Sequence, residues 1–250
     1  MSVPVFSADD HAHMARALQL AERARFTAHP NPVVGCVIAH GQDVVGEGFH
    51  IRAGGPHAEV HALRMAGPQA RGATAYVTLE PCAHYGRTPP CALALIEAGV
   101  ARVVCALGDP FEKVAGGGFA LLRQAGIVVE VGLMEAAARE TNIGFLTRVE
   151  RGRPFVRIKL AASLDGRTAM ADGSSKWITA AAAREDVQQW RARAGAVLTG
   201  AGTVLADDPR MDVRLDPAIE VAACLRVVLD ASLRSLQQAN IRSGATPTLY

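Results

Sequence analysis

His57-Ala58-Glu59 and Pro81-Cys82-Ala83-His84-Tyr85-Gly86-Arg87-Thr88-Pro89-Pro90-Cys91 are the stretches that decide how this chain reads. Together they offer one imidazole, two thiols and a carboxylate. Three such donors suit Zn²⁺ and leave one coordination position open, and a carboxylate outside the ligand set can move protons. His57, Cys82 and Cys91 are therefore the candidate metal ligands, and Glu59 the candidate proton carrier. Zinc lowers the pKa of water towards neutrality, which suits hydrolysis of an amidine-like ring carbon with loss of ammonia. His84, two residues after Cys82, and His61, one turn after His57, are alternative ligands. Any one of these residues alone reads as an ordinary surface or core side chain. The joint pattern, H-x-E opening a helix and P-C following a strand, carries the chemistry.

Outward from these stretches, strands and helices alternate. Met14, Ala17, Leu18 and Ala21 follow helical spacing, with Ser7 or Asp9 as cap. Val33–Ala39 and Val44–Phe49 read as strands joined in a hairpin at His40-Gly41-Gln42. His57–Ala66 reads as a helix stopped near Gly67-Pro68, Ala73–Leu79 as a strand, and Cys91–Glu97 as a helix ended by Gly99. Val103–Leu107 is a buried strand, and Phe119–Gln124, Gly126 and Ile127–Val131 repeat helix, cap and strand. This predicts an α/β/α layered domain. Glu135–Glu150 is helical with an interruption at Gly144, and Arg151-Gly152-Arg153-Pro154 breaks it. The boundary is placed there, giving domains 1–150 and 151–250. In the second, Phe155–Ala161, Val197–Thr199 and Val227–Asp230 read as strands, and Thr179 as the cap of helix Ala180–Arg193. Thr246–Tyr250 looks like the start of a strand, so the second domain is expected to be incomplete.

Half of the 250 residues are hydrophobic, enough for sizeable cores, and the net charge is only +2. No basic tract interleaved with aromatics is present, which argues against a nucleic-acid surface. The five cysteines are odd in number and irregular in spacing, which argues against a disulfide framework. Cys36 and Cys105 lie in apolar runs and read as core. No signal peptide and no apolar run long enough to span a membrane is read, so a reducing cytoplasm is expected.

These residues, with Thr27-Ala28-His29-Pro30-Asn31-Pro32-Val33-Val34-Gly35 and Gly86-Arg87-Thr88-Pro89-Pro90-Cys91, resemble the riboflavin-biosynthesis bifunctional deaminase/reductase family over essentially the whole chain. The resemblance implies a cytidine deaminase-like first domain. It would hydrolyse the 2-amino group of 2,5-diamino-6-ribosylamino-4(3H)-pyrimidinone 5′-phosphate. It also implies a second domain like dihydrofolate reductase, using NADPH to reduce the ribosyl group to ribityl. The wide spacing between Cys82 and Cys91 is usual in that family. By the same resemblance Asn31, His50, Arg87 and Asp109 contact the pyrimidine ribotide. The family commonly reads D-P-N-P where this chain has Asp109-Pro110-Phe111-Glu112, so Phe111 brings no side-chain amide there.

The second-half blocks are Lys159–Thr168, Ser175–Thr179 and Gly200–Pro209. By resemblance Ser175, Arg191, Met211 and Arg214 face the substrate, and Ala161, Trp177, Thr203 and Asp207 line the NADP site. Lys159 is the candidate for polarising the sugar that accepts hydride. The family's Gly-rich E-[GA]-G turn for the dinucleotide phosphate is not found, and Gly116-Gly117-Gly118 lies in the wrong half to replace it. The NADP site is thus expected to be half-built in these residues. A homo-oligomer acting on a small molecule is expected. Two other readings share the motif. A nucleic-acid-editing deaminase would need a strand-binding surface, and a non-catalytic zinc scaffold would close its site with four protein ligands.

Overall fold

The computed structural model describes residues 5–85, 89–112, 114–244 and 246–250. They fall into two compact units, Met1–Phe155 and Val156–Tyr250.

In the first unit, α1 (Ala8–Glu22) starts at Ser7, whose hydroxyl accepts the Asp10 N–H while the Asp10 carboxylate accepts the Ser7 N–H. β1 (Gly35–His40) and β2 (Asp43–Phe49) form the expected hairpin, turning at Gly41, whose φ is +55°. α2 (Ala58–Ala66), β3 (Thr74–Val77), α3 (Cys91–Glu97), β4 (Arg102–Cys105), α4 (Gly117–Gln124) and β5 (Val128–Val131) follow in alternation. The sheet order is β2-β1-β3-β4-β5; β1 is antiparallel to both neighbours, and β3, β4 and β5 run parallel. α5 (Glu135–Thr141) and α6 (Ile143–Arg151) end the unit. The break between them falls at Asn142, not at Gly144, because the Asn142 amide is drawn away to clamp both main-chain groups of Val33.

Alternate residues of the sheet feed two cores. Cys36, Ile38, Ala75, Val77 and Val103 pack with α2, α3 and α4 on one face. Val37, Ala39, Tyr76 and Val104 pack with α1, α5 and α6 on the other. Burial on both faces explains why β1, β3 and β4 are almost wholly apolar. Cys36 and Cys105 are core, as expected.

The second unit holds α7 (Ala181–Ala192), β6 (Ala196–Gly200), α8 (Ala201–Asp207), β7 (Leu225–Leu229) and β8 (Thr248–Leu249). Its three strands are parallel in the order β6-β7-β8. Two expectations fail here. Phe155–Ala161 joins no sheet among the described residues, and Ile158 is 87% exposed. The apolar alternation is present, but a strand also needs a neighbour for its N–H and C=O groups. Thr179 does not cap α7: Ala180 occupies the cap, and the Thr179 carbonyl instead accepts the Arg184 guanidinium. Arg157 and Arg193 both stack on Trp190 of α7, which holds the segment around Arg157 near that helix.

No helix among the described residues is long and apolar enough to cross a membrane.

Candidate active site

The site forms where β3 and β4 end, at the carboxyl edge of the parallel part of the sheet, the usual place for ligands in such layers. His57 is the N-cap of α2, with extended backbone, and is not a residue of its first turn. That removes the helical rotation between it and Glu59, so both side chains serve one site. Cys82 lies five residues beyond β3, and Cys91 is the first residue of α3. The Cys91 N–H donates to Cys82 Sγ at 3.3 Å.

His57 Nδ1 stands 3.2 Å from Cys91 Sγ and 3.6 Å from Cys82 Sγ. The three donor atoms all lie within 4.8 Å of one another. One imidazole nitrogen and two sulfurs so gathered fit zinc. His61 and His84 stand outside this cluster. The contact with the Cys91 thiol lowers the Cys82 pKa, and the same contact, with burial, raises that of Cys91. A lowered thiol pKa favours the thiolate form, which is the form that ligates a cation. The hydrogen bond with Cys82 also raises the His57 pKa.

Glu59 is 3% exposed. Burial raises its pKa against the pull of His57, and its carboxyl also meets the Cys91 thiol. His50 is buried beside His57, ring centroids 5.4 Å apart, and burial lowers its pKa. Its Nδ1 meets the Pro56 carbonyl at 3.1 Å, and its Nε2 meets Asn31 Nδ2 at 3.1 Å. The first contact requires a proton on Nδ1, which makes Nε2 the acceptor for Asn31. Asp109 is half-buried, with its pKa raised by burial, and Cys82 and His84 lie close enough to act on it. It accepts the Phe111 N–H at 2.9 Å. Phe111 thus contributes its main chain to this turn, while its side chain is partly exposed. Arg87 lies outside the described residues.

A model of the cytidine and deoxycytidylate deaminase zinc-binding region matches residues 7–107, and one of the RibD C-terminal domain matches residues 154–249. Riboflavin biosynthesis protein RibD of Escherichia coli (strain K12) is 57% identical over 235 residues, covering 90% of this chain and 64% of the relative. Among solved structures, Acinetobacter baumannii RibD is 53% identical with a TM-score of 0.90, covering 96% of this chain and 69% of that one. The chain belongs to the RibD family. A Thermotoga maritima diaminohydroxyphosphoribosylaminopyrimidine deaminase/5-amino-6-(5-phosphoribosylamino)uracil reductase is 37% identical, with a TM-score of 0.89 and the same 96% and 69% coverage. The fold is therefore the RibD pair, a cytidine deaminase-like domain and a dihydrofolate reductase-like domain. The chain spans under two thirds of the length of the E. coli RibD.

In the RibD C-terminal domain, Arg191 is drawn to Met211 and Asp212: its guanidinium meets Met211 Sδ at 3.8 Å and the Asp212 carbonyl at 3.2 Å. Burial, then the neighbouring Arg214, lowers the Arg191 pKa. Trp177 is 71% exposed beneath the Arg184 guanidinium, and Lys176 pairs with Asp207 at 3.9 Å. Lys159 and Thr203 are exposed, and Ala161 and Ser175 are half-buried.

Sequence reasoning missed two site-building residues. Asn142 clamps Val33, two residues from Asn31. Glu80 receives four main-chain N–H groups beside the cysteine loop. The only signal for Glu80 was its position next to Pro81-Cys82.

Proposed function

We propose that the first unit deaminates 2,5-diamino-6-ribosylamino-4(3H)-pyrimidinone 5′-phosphate to 5-amino-6-(5-phosphoribosylamino)uracil, in riboflavin biosynthesis. The observation that carries this reading is a buried Glu59 carboxyl beside the His57, Cys82 and Cys91 donors, in a chain of the RibD family. His57, Cys82 and Cys91 hold the metal. Zinc, when bound, supplies Lewis acidity and a water of near-neutral pKa.

In the reaction, water adds to the ring carbon bearing the 2-amino group, the C–N bond breaks, ammonia leaves and a carbonyl remains. Glu59 takes a proton from the water, passes it to the ring nitrogen and then protonates the departing amine. Burial raises its pKa, the direction that suits a carboxyl that must both accept and release a proton. His50, whose pKa burial lowers, holds the Asn31 amide, which leaves Asn31 Oδ1 to accept an N–H of the pyrimidinone. Asp109 takes the opposite polar edge, and Arg87 the ribose or phosphate oxygens.

The second unit is read as the reductase half, taking the ribosyl group to ribityl with NADPH in the whole protein. Ser175, Arg191, Met211 and Arg214 face the sugar phosphate, and Ala161, Trp177, Thr203 and Asp207 the dinucleotide. Lys159 polarises the opened sugar. The joining of Arg191 to Met211 and of Lys176 to Asp207 supports these groupings. With this reading go a small-molecule substrate in place of nucleic acid or membrane, a homo-oligomer and a cytoplasmic location.

The test is ammonia release from the ribotide by the zinc-loaded chain without NADPH. One ammonia per ribotide is expected. No release from a chain that holds zinc would overturn the reading.

A further inference from the structure

Gly116-Gly117-Gly118 has the look of a phosphate-binding turn, yet its donors are already engaged. Gly116 is left-handed, with φ +82°. Its N–H donates to Glu80 Oε2 at 3.1 Å, and the Asp109 N–H donates to the same oxygen at 3.2 Å. The N–H groups of Gly118 and Phe119 donate to Glu80 Oε1 at 3.0 and 3.3 Å. Successive main-chain N–H groups form a concavity for an anion, and here the anion is the chain's own carboxylate, 5% exposed. The fit is close on the other side too. A Cβ at Gly118 would lie 1.9 Å from the Pro81 carbonyl oxygen.

We propose that Glu80 is the positioning residue of the deaminase site, fastening Asp109, Gly116, Gly118 and Phe119 to the main chain at Pro81-Cys82 so that Asp109 faces the substrate. This rests on the deaminase reading above. Glu80 follows β3 and precedes Cys82 by two residues, so its main chain is fixed to the metal loop. Its carboxylate is fixed to the loop that carries Asp109. A substrate gripped between the metal and Asp109 therefore feels Glu80 as the spacer between its two contacts. Four N–H donors call for a group that only accepts. A glutamine amide would turn its own NH₂ against two of them.

Glu80→Gln tests this in the full, zinc-loaded chain. Faster amide hydrogen exchange is expected at Asp109, Gly116, Gly118 and Phe119, with helix 58–66 unaltered and zinc still one per chain. The ribotide KM should rise about tenfold with kcat within about twofold, the signature of lost substrate positioning. Glu80→Asp keeps an acceptor-only group, and it should recover part of the KM; it also serves for the same readings if the glutamine chain does not fold. In an Asp109→Ala background, Glu80→Gln should add little to KM, because the two residues act through one contact. Unchanged exchange, faster exchange with unchanged KM, or a full additional KM effect without Asp109 would each overturn the proposal. Wild-type turnover, measured first, tests the deaminase reading by itself, so the two failures are told apart.

Discussion

At the scale of single residues, burial sets the chemistry of Glu59. A carboxyl with 3% exposure is costly to ionise, and the nearby His57 returns only part of that cost. Glu59→Gln keeps the volume and removes the titrating proton. It is expected to retain zinc and to lose ammonia release by about 10²-fold or more. Metal analysis and ammonia assay on one preparation check this, and retained turnover would remove Glu59 from its role. Glu59 and the candidate donors His57, Cys82 and Cys91, which the fold brings together, were legible in the sequence because each is a reactive side chain in a short, recognisable spacing. What spacing did not reveal was how His57 and Glu59 share a site. The answer is the extended backbone of His57 as N-cap, which the helical rotation rule does not describe.

At the scale of elements, the site helix sits where it does because β2 carries glycines. A Cβ at Gly48 would come within 2.4 Å of the Ala58 carbonyl oxygen and 2.6 Å of the Ala62 nitrogen. Gly48→Ala should push α2 off the sheet, lowering stability by about 1–3 kcal/mol and weakening zinc retention against a chelator. Thermal unfolding and a chelator titration read the two effects.

On the opposite face, the Asp10 carboxylate of α1 accepts Arg102 Nη1 at 2.7 Å and the Tyr76 hydroxyl at 2.9 Å. Burial alone would raise the Asp10 pKa, but Arg102, the Ser7 N–H and Tyr76 together bring it below the usual carboxylate range. The same contact, with burial, pushes Tyr76 up to about 12. The unfolded chain binds the Asp10 proton more readily than the folded one. The stabilisation is therefore whole above the ordinary value of 3.8 and drains away as pH falls below it. Asp10→Asn should cost about 3 kcal/mol at neutral pH. It should also flatten the acid side of the Tm profile, and an unchanged slope would assign acid sensitivity elsewhere.

At the scale of the whole molecule, the two units differ in how much they bury. Both large cores of the first unit, with the apolar residues packed on them, draw only on residues between Phe6 and Leu146. The core of the second unit is Val204, Val228 and Ile241 with Met211 packed on it, while Ile158, Leu160 and Leu164 are exposed. A chain cut after Phe155 is expected to unfold cooperatively and hold one zinc, and residues 156–250 alone to show no cooperative transition. Scanning calorimetry with metal analysis decides both.

The order of strands and helices in the first unit, the residues that gather as a candidate metal site and the family were all contained in the sequence. Periodicity, caps and motif spacing are local properties, written within a few residues of where they act. The tertiary structure alone decided the rest. Asn142 finds Val33 across 109 positions, and Glu80 finds Gly116 across 36. Phe155–Ala161 has the pattern of a strand but joins no sheet among the described residues. A hydrogen bond needs a partner as well as a donor, and the partner is chosen by how the chain packs, which no local pattern records.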